Sequence, residues 1–438
     1  MIQPFFEHKD ILIEFGRYAV EAIILYILFK YGFKSRNNEI QLDEKTKEQL
    51  IADFEPWPLI DEEQSRISLP ILAPFATSDN QESSIAYECA DYDIFNFSGQ
   101  NKTEIIEIIK KYGVGTCGPP GFYGTLDLHL DLEKKIAAML GVESAILYSN
   151  NFTCINSVIT CFCKHYDNIF YNEHCNEAII RAISITKGAS ISWRNLEDLE
   201  FKIKQFYEPK KRNFIVSEGL FKNTGAIIDL VRLIDIKKKY KLRLILDESL
   251  SISMIDKRGL SGYYNTNIHQ IDVIVGSLAH VFCGNGGFSA GTAYVTDHQR
   301  LSAQSYCFSA SMPGYLAQNA LCNISKDLDI AKARKLVKVF HKNFKSDNYL
   351  IISHIDSLMI VISNRTNLRI ESPKPNNECA SEMVKLRKIK LKLEQKGLRV
   401  GVIENPWPSL RINIKSNFKE QDVVKIAKAI YQELSIKN

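Results

Sequence analysis

Cysteine pairs are missing from this 438-residue chain: its ten cysteines are scattered, no Cys-x-x-Cys occurs, and only Cys161 and Cys163 stand close together. The usual zinc spacings and a disulfide framework are thereby excluded, which leaves reduced, mostly buried thiols. Charge of one sign is also scarce. A net charge of only +4 gives no footprint for nucleic acid. There is no internal repeat and no low-complexity tract. A long apolar run free of charge is lacking too, because the best candidate, Ile11–Phe33, is interrupted by Glu14, Arg17 and Glu21. Its length suits one membrane-spanning helix, and Arg17 and Glu21 stand one helical turn apart and can pair. No small-residue cleavage site follows, so it does not read as a secretory signal. We expect residues 1–36 to form a single anchor, with Lys30, Lys34 and Arg36 holding the remainder in the cytosol. The alternative is an amphipathic helix lying in the membrane interface.

What is present is enough sequence for two or three packed units. Residues 34–70 are polar and charged, with Pro56, Pro58 and Pro70 scattered among them, and 37–90 read as a linker and N-terminal segment with a short helix near Asp43–Phe54. From Asp91 the chain becomes globular. A helix is predicted over Lys102–Tyr112, then a loop with glycines at 113, 115, 118, 121 and 124. A second helix, Asp127–Leu140, aligns Leu128, Leu132, Ile136 and Leu140 and stops at Gly141. Short apolar runs follow at Ala145–Tyr148, Asn168–Tyr171, Ile191–Trp193, Phe214–Ser217, Leu244–Asp247, Val273–Gly276 and Thr292–Val295. Near-continuous Ile/Leu/Val strands separated by helical connections predict a mostly parallel α/β sheet covered on both faces, over residues 91–320. A small α/β unit is predicted over 321–438, with strands at Met359–Ser363 and Ser409–Ile414 and a final helix at Glu420–Leu434.

Two segments carry the chemistry. One strand, Leu242–Leu250, runs through Asp247; the next, from Val273, runs into the Gly-rich turn Gly276-Ser-Leu-Ala-His-Val-Phe-Cys-Gly-Asn-Gly-Gly287. This pair resembles the α-oxoamine synthase branch of fold-type I pyridoxal-phosphate enzymes, where the second segment carries a lysine. Here that position is His280. Only a primary amine forms an imine with the cofactor aldehyde, so imidazole cannot start this chemistry. An active homodimeric synthase would need the lysine this segment lacks.

Further motifs narrow the resemblance. Tyr112–Glu133, Glu218–Gly225, Asp247–Ser251 and Asp297–Ser311 are similar to stretches of the first long-chain-base subunits of serine palmitoyltransferases. The resemblance implies a type I aminotransferase-like fold and a membrane-bound heterodimer of the endoplasmic reticulum. That heterodimer condenses L-serine with palmitoyl-CoA to 3-ketodihydrosphingosine. It implies no catalytic residue in this chain, and pyridoxal phosphate bound covalently by the homologous second subunit. It leaves room for small regulatory membrane subunits. A purely regulatory or scaffolding role remains the alternative.

The same resemblance assigns the site residues. Asp247 matches the acid that bonds the pyridinium nitrogen, although a strand-end cap explains it equally. Asn176 falls where active relatives stack a histidine on the ring, with His174 two positions out of register, and Leu250 replaces a second histidine. Asn176, Asp247 and His280 therefore outline a vestigial pocket. Cys117, Gly118, Phe122 and Tyr123, in the glycine loop, are expected to face the partner's cofactor. Pro120 takes the place of an arginine there. Ser309 and Ser311 are the hydroxyls left to reach the partner's cofactor phosphate, since Ala310 replaces a threonine; capping serines are the plainer reading. Arg411 is the survivor of an arginine pair and is given no role.

Overall fold

The computed structural model describes residues 17–26, 43–53, 85–366 and 377–436. Two compact units divide the chain, Met1–Asp79 and Asn80–Asn438. In the first, residues 17–26 and Glu44–Ala52 are helical, and Arg17 pairs with Glu21 at 3.1 Å. The rest of Ile11–Phe33 lies outside the described residues. Among those described, no helix is long and apolar enough to cross a membrane.

The second unit is built on a seven-stranded sheet. Its strands are β2 (Ser144–Tyr148), β3 (Asn168–Asn172), β4 (Ala189–Trp193), β5 (Asn213–Glu218), β6 (Arg243–Asp247), β7 (Val273–Ser277) and β8 (Gly287–Gly291). Their order is β2-β8-β7-β6-β5-β3-β4, and β8 alone runs antiparallel to its neighbours. Helices α1 (Lys102–Tyr112), α2 (Asp127–Leu140), α3 (Asn151–Phe162), α4 (Glu177–Thr186), α5 (Leu196–Phe206) and α6 (Leu230–Tyr240) accompany them. Every residue of β5 and β7 is buried, as expected for strands covered on both faces. Helix α2 ends as read, with Gly141 left-handed at φ 76°.

One strand expectation is corrected. Thr292–Val295 is not a strand: Thr292 is the N-cap of α7 (Ala293–Ser302), its hydroxyl accepting from the Val295 amide. The strand is the preceding Gly287-Phe-Ser-Ala-Gly291, whose glycines read as a turn. Its pairing depends on a missing side chain. A Cβ at Gly276 would lie 2.1 Å from the Phe288 ring, so glycine on β7 makes room for the aromatic on β8.

After α8 (Gly314–Ile324) and α9 (Ile330–Asn343) comes a four-stranded antiparallel sheet. It contains β9 (Tyr349–Ile351), β10 (Met359–Asn364), β12 (Gly401–Ile403) and β13 (Ser409–Asn413), and is accompanied by α10 (Asn377–Gln395) and α11 (Glu420–Ser435). A short β1 (Tyr87–Glu88) pairs with β11 (Leu398–Arg399), and the amides of Asn413 and Ser416 donate to the carbonyls of Cys89 and Ile94. The segment at 87–94 is thus stitched to the C-terminal sheet.

Candidate functional site

Strands β5 and β6 both end in an acid, and the register sets Glu218 opposite Asp247. Both are buried. Asn176 caps α4, its side chain accepting from the Ile179 amide. Its own amide nitrogen then bridges the acids, donating to Glu218 Oε1 at 2.9 Å and Asp247 Oδ2 at 3.0 Å. The Asn176 backbone N–H donates to Glu218 Oε2 at 2.8 Å. Burial, reinforced by Asp247, pushes Glu218 up to about 8. Burial also raises Asp247, against the bonds from Ser249 and Asn176. Burial thus pushes both acids toward their protonated forms. Next along the chain, Glu248 is raised to about 7 by burial and is held by Ser251 Oγ and the Leu260 amide.

His280 follows β7. Its ring meets Tyr92 edge-on at 4.8 Å, and its buried Nδ1 has no hydrogen-bond partner. Burial holds its pKa down at about 3, with the charges of Lys222 and Arg411 acting the same way and a Ser249 backbone bond opposing them. The imidazole is neutral at any physiological pH. Arg411 is a strut: it donates to Tyr92 Oη (2.6 Å) and the Ala90 carbonyl (2.7 Å), and lies 4.5 Å over the Tyr92 ring.

These groups surround a cavity of about 840 Å³ that Asn176, Asp247, Leu250, His280 and Arg411 all line. Residues 402–406, on and after β12, border it, and His174 lines it while packing against Trp407 at 5.3 Å. The residues do not fit pyridoxal phosphate. No amine follows β7. At the N-terminus of α3, Asn150 Oδ1 already accepts from the amides of Phe152 (2.9 Å) and Thr153 (3.3 Å), which takes two of the amides a phosphate would use. Both Asp247 oxygens are engaged, Oδ1 by the Ser249 amide and Oδ2 by Asn176. Leu250, buried at the cavity wall, offers no polar group to a cofactor.

The other sequence candidates do not line this cavity. Cys117 and Tyr123 take left-handed φ of 57° and 62°. Cys117 is exposed, Phe122 is 68% exposed and Tyr123 is fully exposed. The loop closes on itself, since a Cβ at Gly124 would come within 1.9 Å of the Gly118 carbonyl oxygen. It also docks on the 308–312 segment: the Ser311 amide donates to Gly118 O at 2.9 Å, and Thr116 Oγ1 donates to Ser311 O at 3.0 Å. Ser309 Oγ lies 3.5 Å from Ser305 Oγ, while the buried Ser311 Oγ has no partner. Ser309, Ser311 and Pro120 border a second cavity of about 50 Å³.

Sequence reasoning did not single out Glu218, Lys222 or Tyr92. Glu218 had a readable signal, an acid at a strand end like Asp247. Lys222 and Tyr92 had none, because only the folded chain brings Lys222 to the cavity and Tyr92 against His280 and Arg411.

The chain matches the aminotransferase class I and II family over residues 94–430. It is 32% identical to serine palmitoyltransferase 1 of Dictyostelium discoideum, over 92% of this chain and 89% of that one. It is 34% identical to long chain base biosynthesis protein 1b of Oryza sativa subsp. japonica, over 80% of this chain and 78% of that protein. Among solved structures it is similar to a Sphingomonas wittichii serine palmitoyltransferase, with TM-score 0.68 and 18% identity over 79% of this chain and 86% of that one. It also resembles the 8-amino-7-oxononanoate synthase of Francisella tularensis, with TM-score 0.64 and 21% identity over 79% of this chain and 98% of that one.

Proposed function

Because this chain belongs to the aminotransferase class I and II family, among the long-chain-base biosynthesis protein 1 and serine palmitoyltransferase 1 relatives, we propose that it is the non-catalytic subunit of a heterodimeric serine C-palmitoyltransferase. The reaction it supports is the condensation of L-serine with palmitoyl-CoA to 3-ketodihydrosphingosine, in sphingolipid synthesis. The observation that carries this reading is His280, a neutral, enclosed imidazole at the position where the chemistry needs an amine. Pyridoxal phosphate, bound by the catalytic partner, supplies the electron sink for the condensation.

This chain contributes a wall and a platform. Phe122, Tyr123 and Phe308 project from the glycine loop and the segment it docks on, and Phe308 is 82% exposed. Exposed aromatics grouped in this way suit burial against a partner subunit. The docked loop then presents Cys117 and Gly118 to the partner's site, and Ser309 offers a hydroxyl. We assign Ile11–Phe33 to anchoring on the endoplasmic reticulum membrane, with the second unit cytosolic.

The test compares the purified chain with its complex. Alone it should give no imine absorbance with pyridoxal phosphate and no condensing activity; with the paralogous catalytic subunit, activity should appear. A borohydride-trapped cofactor on this chain, for instance on Lys222, which lines the cavity, would overturn the proposal.

A further inference from the structure

Helix α9 is IleAlaLysAlaArgLysLeuValLysValPheHisLysAsn, fourteen residues without one acid. Ala333, Leu336, Val337 and Phe340 are buried, so the opposite face is left to lysine. Lys332, Lys335 and Lys342 are exposed there, and Lys345 continues the row just beyond the helix. Helix α11 packs against both α9 and α10. It exposes Lys425 and Lys428, one turn apart. On α10, Val384, Lys388, Leu391 and Lys392 share one exposed face, with Val384 53% and Leu391 60% exposed.

None of these eight lysines has an acidic partner among the described residues. Four acids of α10 and α11 are engaged elsewhere: Glu382 accepts from Tyr349 Oη, Glu394 from Arg399, Asp422 from Tyr87 Oη and the buried Glu433 from Lys396, while Glu420 stands exposed at the start of α11. Helix α5 shows the contrast, setting Glu197 and Glu200 against Arg232 and Lys239 of α6. The unpaired lysines of the C-terminal helices concentrate positive charge on a molecule whose net charge is only +4.

From this geometry we infer that the outer face of α9, α10 and α11 docks on an anionic lipid surface. Phosphate headgroups complement the lysine rows, and Val384 and Leu391 stand among the lysines where apolar side chains can enter the headgroup boundary. A duplex nucleic acid would use the lysines but leave the exposed Val and Leu without a counterpart. The inference is independent of the catalytic reading, since it needs neither His280 nor the glycine loop.

The test is lysine-modification footprinting of the full chain, purified with whatever subunit accompanies it, in the presence of vesicles. Vesicles with about a third phosphatidylserine should protect Lys335, Lys342, Lys425 and Lys428, and vesicles of phosphatidylcholine alone should not. Protection should fade as salt rises. Because the footprint reads these lysines directly, membrane binding through residues 1–36 does not mask it. Replacing the four together (K335Q/K342Q/K425Q/K428Q) should weaken the salt-sensitive part of anionic-vesicle binding on the order of a thousandfold. Four results would each overturn the inference. They are equal protection by both vesicle types, no protection by either, protection by the partner subunit without lipid, and stronger protection by duplex DNA than by anionic vesicles. Loss of condensing activity in a variant that keeps its footprint would bear on the catalytic reading only.

Discussion

An imidazole stands at position 280, but changing it alone should not restore catalysis. His280→Lys would provide an amine beside Asn176, whose side chain already spans both acids, and beside Leu250 and the self-capped α3. The variant is expected to remain inactive by itself, and titration with pyridoxal phosphate should show no imine band. The acids predict a pH effect on stability. Glu218 has a folded pKa of about 8, above its unfolded value, so between those limits the folded state holds the extra proton. Its contribution is therefore present at low pH and is lost as pH rises through about 8. Glu248, at about 7, acts in the same direction. His280 is depressed and costs stability only below the ordinary histidine range, where the unfolded imidazole takes a proton. Urea unfolding should thus give about 1–2 kcal/mol less stability at pH 8 than at pH 6.5. Glu218→Gln should flatten that slope, and an unchanged slope would show that Glu218 is not the group responsible.

Single atoms decide how the elements fit. Gly276→Ala would push a methyl into the Phe288 ring, 2.1 Å away, between two buried strands. Overpacking of this kind should cost about 1–3 kcal/mol, read as a lower urea midpoint with the slope unchanged. In the glycine loop, Cys117→Trp places an indole on an exposed left-handed position. The heterodimer should still assemble, with serine condensation falling or amino-acid selectivity loosening. A displacement of about 1 Å at a reacting centre can cost roughly a hundredfold in rate. If rate and selectivity both stay at wild-type values, the loop is no part of the active-site wall and a scaffolding role replaces the shared site. Helices α1 and α2 were legible to the residue, because an amphipathic stripe and a C-terminal glycine are local signals. Strand β8 was not, since its glycines make sense only against Phe288 and Gly276 on paired strands.

At the scale of the whole molecule, the proposed anchor is tested by its topology. With Ile11–Phe33 spanning once, a tag at Met1 should be lumenal, a tag at Asn438 cytosolic, and a carbonate wash should leave the protein in the pellet. Release by carbonate, or protease access to both tags from the cytosolic side, would favour an interfacial helix. Arg17 and Glu21 pair as their spacing predicts, which lowers the cost of burying either charge.

By itself the sequence determined the α/β class, most strands of the large sheet, the family and the histidine after β7, because each is written in local periodicity, in motifs or in one residue's identity. Only the tertiary structure decided that Asn176 bridges Glu218 and Asp247, that Arg411 braces Tyr92, and that the candidate residues divide between a cavity and an exposed loop. Those facts depend on sheet register and on contacts between residues dozens to hundreds of positions apart, and no local pattern encodes a distance of that kind.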